Sequence, residues 1–569
     1  MTEEERRRIV SDEYTDFIVE YSENPRAFEQ FPDAVVHIMN TRFAIVYVPV
    51  SQLTARTISL FGYSVLPSCY GLSSEISLEA SGITRLRRIP IFNLRGAGVL
   101  VGLVDTGIDY TNPVFLRSDG TTKIAAIWDQ TIESERFPEN FNYGTEYLSN
   151  DINQALNNLD PYSIVPSVDE IGHGTMLAGI AAGSEISESN FSGVVPDSEL
   201  IIVKLKQAKQ ALREFFIIPE GVPAYQENDI MWGAQYIIRT ARRLQRPVAI
   251  CIGLGSSQGS HDGRDALSAL LSVGGAFPGV VVSIAAGNEG NMRRHFFSRV
   301  DPQMGYSTVE LNVGENEPGF TMELWGTAPN TYSIDILSPA GEYIPRISEG
   351  LNVNREISFI FERTRIFVDY QLIEAQTGDQ LILMRFLAPT PGIWRFQVYT
   401  RGDLEGSFHI WLPMNGFISE DTYFIQSDPY TTITSPGNSL VPITATAYNP
   451  INNSLYQRAS RGYTRIGEVK PDLAAPGVNI QAPTLEHGFT EISGTSAAAA
   501  HTTGVTAILL EWGIVLNNYP GIDSAEVKKF LIRGASRSPT QIYPNRDWGY
   551  GILDIYNVFD ILRADAQRS

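Results

Sequence analysis

The sequence predicts an α/β protein whose parallel sheet is preceded by a small α+β unit and interrupted by an all-β domain. Three observations carry that prediction. Apolar runs at 99–104, 200–203, 248–254 and 280–284 have the unbroken character of strands buried on both faces, and helical patterns separate them. Short runs of alternating polarity crowd residues 296–430, each bounded by turn residues. Two further strand-like runs, 17–21 and 43–50, lie ahead of the first buried strand. At 569 residues the chain has room for about two to four domains of ~150 residues each. Its 43% hydrophobic content is ample for their cores.

Taken in order, residues 1–63 form the α+β unit, with a short helix over 51–59 starting from a Ser51 cap and a boundary between 60 and 80. The α/β domain occupies 64–295 and resumes at 431–569. Lys123 to Trp128 gives a short strand, and 129–168, rich in Asn, Asp, Pro and Tyr, reads as a long surface insertion. Ile230, Ala234, Ile237, Ala241 and Leu244 recur every three to four positions and mark an amphipathic helix that Pro247 stops. The next apolar run ends in Gly253-Leu254-Gly255. The runs at 308–313, 333–336, 357–361, 365–370, 380–383 and 394–399 argue for a β-sandwich or jelly roll in 296–430. Residues 432–447 return to the sheet, and the remainder to about 563 is helical.

A net charge of −21 argues against nucleic acid and against an anionic membrane surface as partners. Two cysteines, Cys69 and Cys251, are far apart, so no disulfide framework is expected, and Cys251 reads as a small buried hydrophobe. No run of about 18 apolar residues predicts a transmembrane helix. The N-terminal Met1-Thr2-Glu3-Glu4-Glu5-Arg6-Arg7-Arg8 has no apolar signal core. No acidic loop reads as a calcium site, and neither a metal nor a cofactor is expected.

Chemistry concentrates at four places. Gly494-Thr495-Ser496 runs into an alanine-rich helix and sets the Ser496 hydroxyl at its N-terminus, where free N–H groups and the helix dipole favour negative charge. The competing reading is a plain helix cap. A nucleophilic serine needs a base and the base needs an orienting carboxylate. Of the 7 histidines, His173 stands out, with Gly172 and Gly174 beside it and small residues continuing at helical spacing. His501, inside the serine helix, reads as a packing residue. Asp105 closes an apolar run in Asp105-Thr106-Gly107, at the strand edge where open α/β sheets gather ligands. A strand-end Asx turn would look the same. Aspartic proteases carry Asp-Thr-Gly too, but in pairs, and here it occurs once. Asn288, in Ala285-Ala286-Gly287-Asn288, ends another apolar run and could donate to an oxyanion; alone it would pass for an ordinary Asn/Gly turn.

In the order Asp105, His173, Asn288, Ser496, these contexts resemble the subtilisin-like serine proteases, or subtilases. The resemblance implies that Asp105 supports His173, that His173 takes the Ser496 proton and returns it to the leaving amine, and that Asn288 and the Ser496 N–H form an oxyanion hole. It also implies that Gly253, Leu254 and Gly255 pair with the substrate backbone and line its side-chain pockets, Gly253 standing where the family usually has Ser. Ala497 and Ala500 replace the family's usual Met and Pro. The N-terminal unit is similar to a subtilase prodomain, which assists folding and inhibits through its C-terminal tail. Processing is expected near Tyr63, within 60–80, and the basic run at 85–88 is a rival site.

The jelly-roll-like insert, the missing signal core and the segment Lys123-Ile124-Ala125-Ala126-Ile127-Trp128-Asp129 together resemble the Csp germination proteases of anaerobic spore-formers. That likeness implies a spore-associated enzyme whose partners are its own bound prodomain and a cortex-lytic pro-enzyme cut during germination. Outside it, the expected location is cytoplasmic or reached by a non-Sec route. The alternatives are a subtilase acting on protein or peptide substrates in general degradation, and a non-catalytic, pseudoprotease-like binding or signalling protein.

Overall fold

The computed structural model describes residues 1–566 other than 33, 55, 73–80, 82, 84–92, 302 and 403. The basic run at 85–88 lies outside the described residues. Across the central nine-stranded sheet, Ser454–Leu455, Ile443–Asn449, Val280–Ala285, Val248–Ile252, Leu100–Asp105, Glu199–Lys204, Ile124–Asp129 and Thr145–Leu148 lie side by side, and Leu473–Pro476 also pairs with Ile443–Asn449. The apolar runs predicted as buried strands pair in parallel. Side chains alternate between the faces, as strand geometry requires. Leu100 and Val104 join the core under helix Glu227–Arg243, whereas Val101 and Leu103 join the core with helices His173–Ala182 and Thr495–Leu510.

Leu100–Asp105 enters the sheet first. The chain then builds on one of its sides and later crosses to place Val248–Ile252 on the other. A crevice opens at the carboxyl ends of strands that diverge in this way, and Asp105 stands at its mouth. Alanine dominates the serine helix because every residue of Thr495–Leu510 is buried, Ala497 and Ala500 included. With its last turn it spans Thr495–Val515 and, among the described residues, is the one helix long and apolar enough to cross a membrane. Threonines and glycine interrupt its apolar run in sequence, and 83% of its most apolar window is buried inside the fold.

The β insert begins with His295–Arg299 and ends with Tyr423–Phe424. Its strands form two antiparallel sheets, of six and five strands, packed over Phe320, Ile334, Phe386 and Trp394. The alternating runs of the sequence are the inner and outer faces of this sandwich.

At the N-terminus, Thr2 caps a helix over Glu3–Val10 through a capping box with Glu5, an element the charged sequence concealed. A three-stranded antiparallel sheet follows, with Phe43–Pro49 between Tyr14–Glu20 and Val35–Ile38. The helix expected from Ser51 starts later, at Thr57–Phe61. Thr57 accepts from the Thr54 N–H at 2.7 Å and donates to the Gln52 carbonyl at 3.1 Å, which ties the helix start back to Gln52 and Thr54. The segment 129–168 is more ordered than its composition suggests: Thr145–Leu148 pairs with Ile124–Asp129, and Ser149–Leu156 is helical.

The N-terminal unit is seated on both neighbours. Buried Asp16 meets Lys209 Nζ at 2.5 Å and accepts from Gln226 Nε2 and Asn228 Nδ2, each at 2.8 Å. Gln371 of the insert donates to the Ile58 carbonyl at 2.8 Å.

Candidate active site

Asp105 closes its strand and accepts from the Thr106 N–H at 2.8 Å. The same carboxylate oxygen lies 2.7 Å from His173 Nδ1. His173 is the first residue of its helix, after Gly172 at φ +88°, a left-handed conformation that favours glycine. Asp169 caps the turn, accepting from the Gly172 N–H at 2.8 Å and the Thr175 N–H at 2.9 Å. Two crossed bonds tie the strand end to the helix: Gly174 N–H to Thr106 Oγ1 and Asp109 N–H to Thr175 Oγ1, both 2.9 Å. Gly174 has to be glycine, because a Cβ there would stand 2.2 Å from the Gly107 carbonyl oxygen.

His173 Nε2 lies 3.3 Å from Ser496 Oγ. This is the loose end of hydrogen-bond reach, common in active sites without a ligand. Ser496 is fully buried in the first turn of its helix, so charge developing there would meet free N–H groups with little competing water. Asn288 is fixed by Thr495, whose N–H and hydroxyl both reach Asn288 Oδ1 at 3.2 Å. With its oxygen held, the amide has its NH2 group left to donate. The Thr495 hydroxyl also accepts from the Gly287 N–H at 3.0 Å. Thr495 therefore couples the serine helix to the Asn288 turn. Sequence reading passed over this role, although the residue stood in plain view within Gly494-Thr495-Ser496.

Gly253 packs against the same centre: a Cβ on it would lie 3.2 Å from Ser496 Cβ, 3.3 Å from His173 Cε1 and 2.5 Å from Leu177 Cδ1. Leu177 thus accounts for glycine where a serine is usual. Leu254–Gly255 is a short strand whose partner is a segment of the chain itself. Cys69–Leu72 lies antiparallel to it, with Leu72 opposite Leu254 and Gly71 opposite Gly255. On its other edge, Cys69 and Tyr70 pair with Gln226 and Tyr225. Glu227 steadies this segment by accepting from the Ser68 N–H at 3.1 Å; burial pushes its carboxyl up to about 8.

The structure thus brings Asp105, His173, Ser496, Asn288, Gly253, Leu254 and Gly255 together. It does not bring Tyr63 with them. Tyr63 begins a 3-10 turn, its side chain buried and its hydroxyl donating to Glu323 of the insert at 2.6 Å. The segment that reaches the rim is Cys69–Leu72, and the turn at Tyr63–Val65 is what carries the chain towards it. His501 is the packing residue expected, with Nε2 at 2.5 Å from Ser81 Oγ and burial lowering its pKa to about 3. Among the described residues, no group of three or more His, Cys, Asp or Glu side chains is placed to hold a metal ion.

Comparison with known proteins points to one family. The model of the subtilase family, Peptidase_S8, matches residues 96–316 and 424–551, a gap that falls within the β insert. A solved structure of the Clostridium perfringens CspB protease is 32% identical, covering 85% of this chain and 97% of that one, with a TM-score of 0.76. The subtilisin-like protease SBT3.3 of Arabidopsis thaliana is 23% identical over 488 residues, 73% of this chain and 56% of the relative. The C5a peptidase of Streptococcus pyogenes serotype M1 is 22% identical over 483 residues, 80% of this chain and 38% of the relative. The chain therefore spans 56% and 38% of the lengths of these two curated relatives. On the family match and the CspB likeness, the chain belongs to the subtilase family of serine endopeptidases.

Proposed function

We propose that this protein is a serine endopeptidase working through Asp105, His173 and Ser496. The observation that carries the reading is the continuous contact from Asp105 to His173 at 2.7 Å and on to Ser496 at 3.3 Å. Ser496 Oγ attacks the peptide carbonyl while His173 Nε2 takes its proton. Asn288 Nδ2 and the Ser496 N–H receive the oxyanion. His173 returns the proton to the amine as the carbon–nitrogen bond breaks, and water then releases the acyl group by the same route. Asp105 holds the imidazole with Nε2 facing the serine throughout.

The N-terminal unit is both first substrate and first inhibitor. Cys69–Leu72 occupies the rim as a substrate strand would. If the pairing of Leu72 with Leu254 were extended in the same register, the next position would fall opposite Gly253, the rim residue packed against Ser496. The proposed processing bond is therefore Ser73–Ser74, ten residues beyond Tyr63 in the sequence and outside the described residues. The natural target is the pro-form of a spore cortex-lytic hydrolase, a role supported by the likeness to the CspB protease over 97% of that chain.

Three measurements test this. A fluorophosphonate should label wild type at Ser496 and leave Ser496→Ala unlabelled. N-terminal sequencing should find wild type cut after residue 73 and Ser496→Ala intact; a cut Ser496→Ala chain, purified and incubated alone, would refute self-processing. Spore cortex-lytic pro-hydrolases should be converted by wild type. If they stay intact while unrelated proteins are degraded, the germination role is wrong and the general one stands.

A further inference from the structure

Asn288 serves the reaction only if its amide nitrogen stands where the oxyanion forms. Thr495 fixes the oxygen of that amide, but the side chain also hangs from a backbone bend. Gly287, just before it, has φ +100°, a left-handed conformation that favours glycine. Two peptide planes meet at the Asn288 Cα, 287–288 and 288–289, and together they set where the side chain leaves the bend. One residue holds both planes. The Ser460 N–H donates to the Gly287 carbonyl at 2.8 Å. The Ser460 hydroxyl accepts from the Glu289 N–H at 3.0 Å.

Ser460 is only 1% exposed, and its own segment is anchored on either side. After it, the Arg461 N–H donates to the Thr432 hydroxyl and the Thr432 N–H to the Arg461 carbonyl, both at 2.9 Å. Before it, the Arg458 carbonyl accepts from the Gly290 N–H at 2.9 Å. The two segments touch so closely that a Cβ on Gly290 would stand 2.0 Å from the Ala459 carbonyl oxygen. Residues 458–460 are thus a fixed edge laid along 287–290. Ser460 and Thr495 divide the work: one holds the backbone that carries Asn288, the other holds the far end of its side chain. Precision matters here, since a misplacement of about 1 Å at a reacting centre can cost about 10² in rate.

We propose that Ser460 is the positioning residue for the oxyanion donor, its hydroxyl keeping the Asn288 amide aimed at the developing charge. The proposal rests on the peptidase reading above. Ser460 acts through Asn288 and takes no part in proton transfer, so its loss is felt only as the oxyanion forms.

The experiment compares full-length wild type, Ser460→Ala and Ser460→Cys, each with Asn288 present and with Asn288→Ala. Ser460→Ala removes the acceptor and keeps the backbone bond to Gly287; Ser460→Cys puts a weak acceptor in nearly the same space. A fluorophosphonate counts the molecules active at Ser496. Its labelling rate also reads the oxyanion position, because its phosphoryl oxygen enters there. Ser460→Ala should lower both that rate and kcat on a peptide nitroanilide by about tenfold, short of the 10²–10³ that losing the donor outright costs. KM should move less than about threefold. Ser460→Cys should fall between, and it carries the test if the alanine variant does not fold. In the Asn288→Ala background, Ser460→Ala should change either rate by less than about twofold. A kcat and labelling rate within about twofold of wild type overturn the proposal. So does a loss carried by KM, and so does an undiminished loss once Asn288 is gone, which would make Ser460 a general support of the fold. Wild type that neither labels nor cuts any peptide overturns the peptidase reading itself, a distinguishable result.

Discussion

Thr495→Val tests whether the site works as one coupled unit. Valine keeps the shape of threonine and removes the hydroxyl. Two bonds vanish with it: the donation to Asn288 Oδ1 at 3.2 Å and the acceptance from the Gly287 N–H at 3.0 Å. The Thr495 N–H still holds Asn288 Oδ1 at 3.2 Å, so the amide loses half its tether rather than all of it. Complete loss of an oxyanion donor costs ~3 kcal/mol, or 10²–10³ in kcat. Loosening the donor should cost roughly half of that, about 1.5 kcal/mol, which is about a 10- to 20-fold fall in kcat. KM should move less than about threefold, because the lost interaction matters only when negative charge forms. Orphaning the buried Gly287 N–H adds a stability cost of about 1–3 kcal/mol, read as a lower denaturation midpoint. The assay is steady-state hydrolysis of a peptide ester or anilide by titrated enzyme. Thr495→Ser should restore kcat, since its hydroxyl can make both bonds. In an Asn288→Ala background the Thr495→Val effect on kcat should shrink towards none, as coupled residues require. Full wild-type kcat in Thr495→Val, or an undiminished effect once Asn288 is gone, would refute the reasoning.

Other perturbations probe the surroundings. Gly253→Ser should lower kcat/KM by about tenfold or more, because its Cβ would meet Leu177 Cδ1 at 2.5 Å; Leu177→Ala should recover most of the loss, and failure to recover it would show that the rim needs glycine for another reason. Lys123 is buried, its ammonium bonded to the Ala182 and Pro196 carbonyls, and burial lowers its pKa from 10.5 to about 7. Between those values the unfolded chain binds the extra proton, so this lysine makes the fold more stable as pH rises through that window and less stable as pH falls. Denaturant unfolding should therefore show wild type gaining on Lys123→Met by about 2 kcal/mol between pH 7 and 9, with equal pH slopes contradicting the assignment. Asp16→Ala leaves Lys209 buried without its carboxylate, a change that typically costs about 3–5 kcal/mol. After self-processing the N-terminal unit should then separate from the remainder on gel filtration, and peptide hydrolysis should rise; co-elution at unchanged activity would place the anchor elsewhere.

How much could be read from the sequence depended on how local the cause was. The parallel strands were legible because each is apolar along its whole length, and the sandwich because its period-two alternation differs from that pattern. Asp105, His173 and Ser496 were legible because each sits in a short segment of small residues that their packing demands, as Gly174 against the Gly107 carbonyl shows. What escaped depends on distant partners. Nothing around Thr495 in sequence reveals that its hydroxyl reaches Gly287 and Asn288, more than 200 positions away. Tyr63 was read as the end of a tail from the resemblance to a subtilase prodomain, and no residue near it in sequence announces Glu323, 260 residues on, which accepts from its hydroxyl. The helix over Glu3–Val10 was hidden by its charge, although Thr2 and Glu5 form a capping box that is readable in hindsight.

The contacts that assemble the cleft also explain how it would be closed before use. A lone rim strand, Leu254–Gly255, leaves backbone donors and acceptors unpaired, and so does the edge at Tyr225–Gln226. Cys69–Leu72 satisfies both at once by lying between them. A free peptide must replace those bonds and compete with a strand tethered at millimolar effective concentration. Cutting the chain beyond Leu72 would end the covalent tether without touching the Asp16 cluster or the Gln371 bond that seats the N-terminal unit. Cleavage and activation are then separate events. The first would need only the Asp105, His173, Ser496 and Asn288 groups already assembled; the second would need loss of buried polar contacts far from them. Control of such an enzyme would lie in whatever loosens that seat.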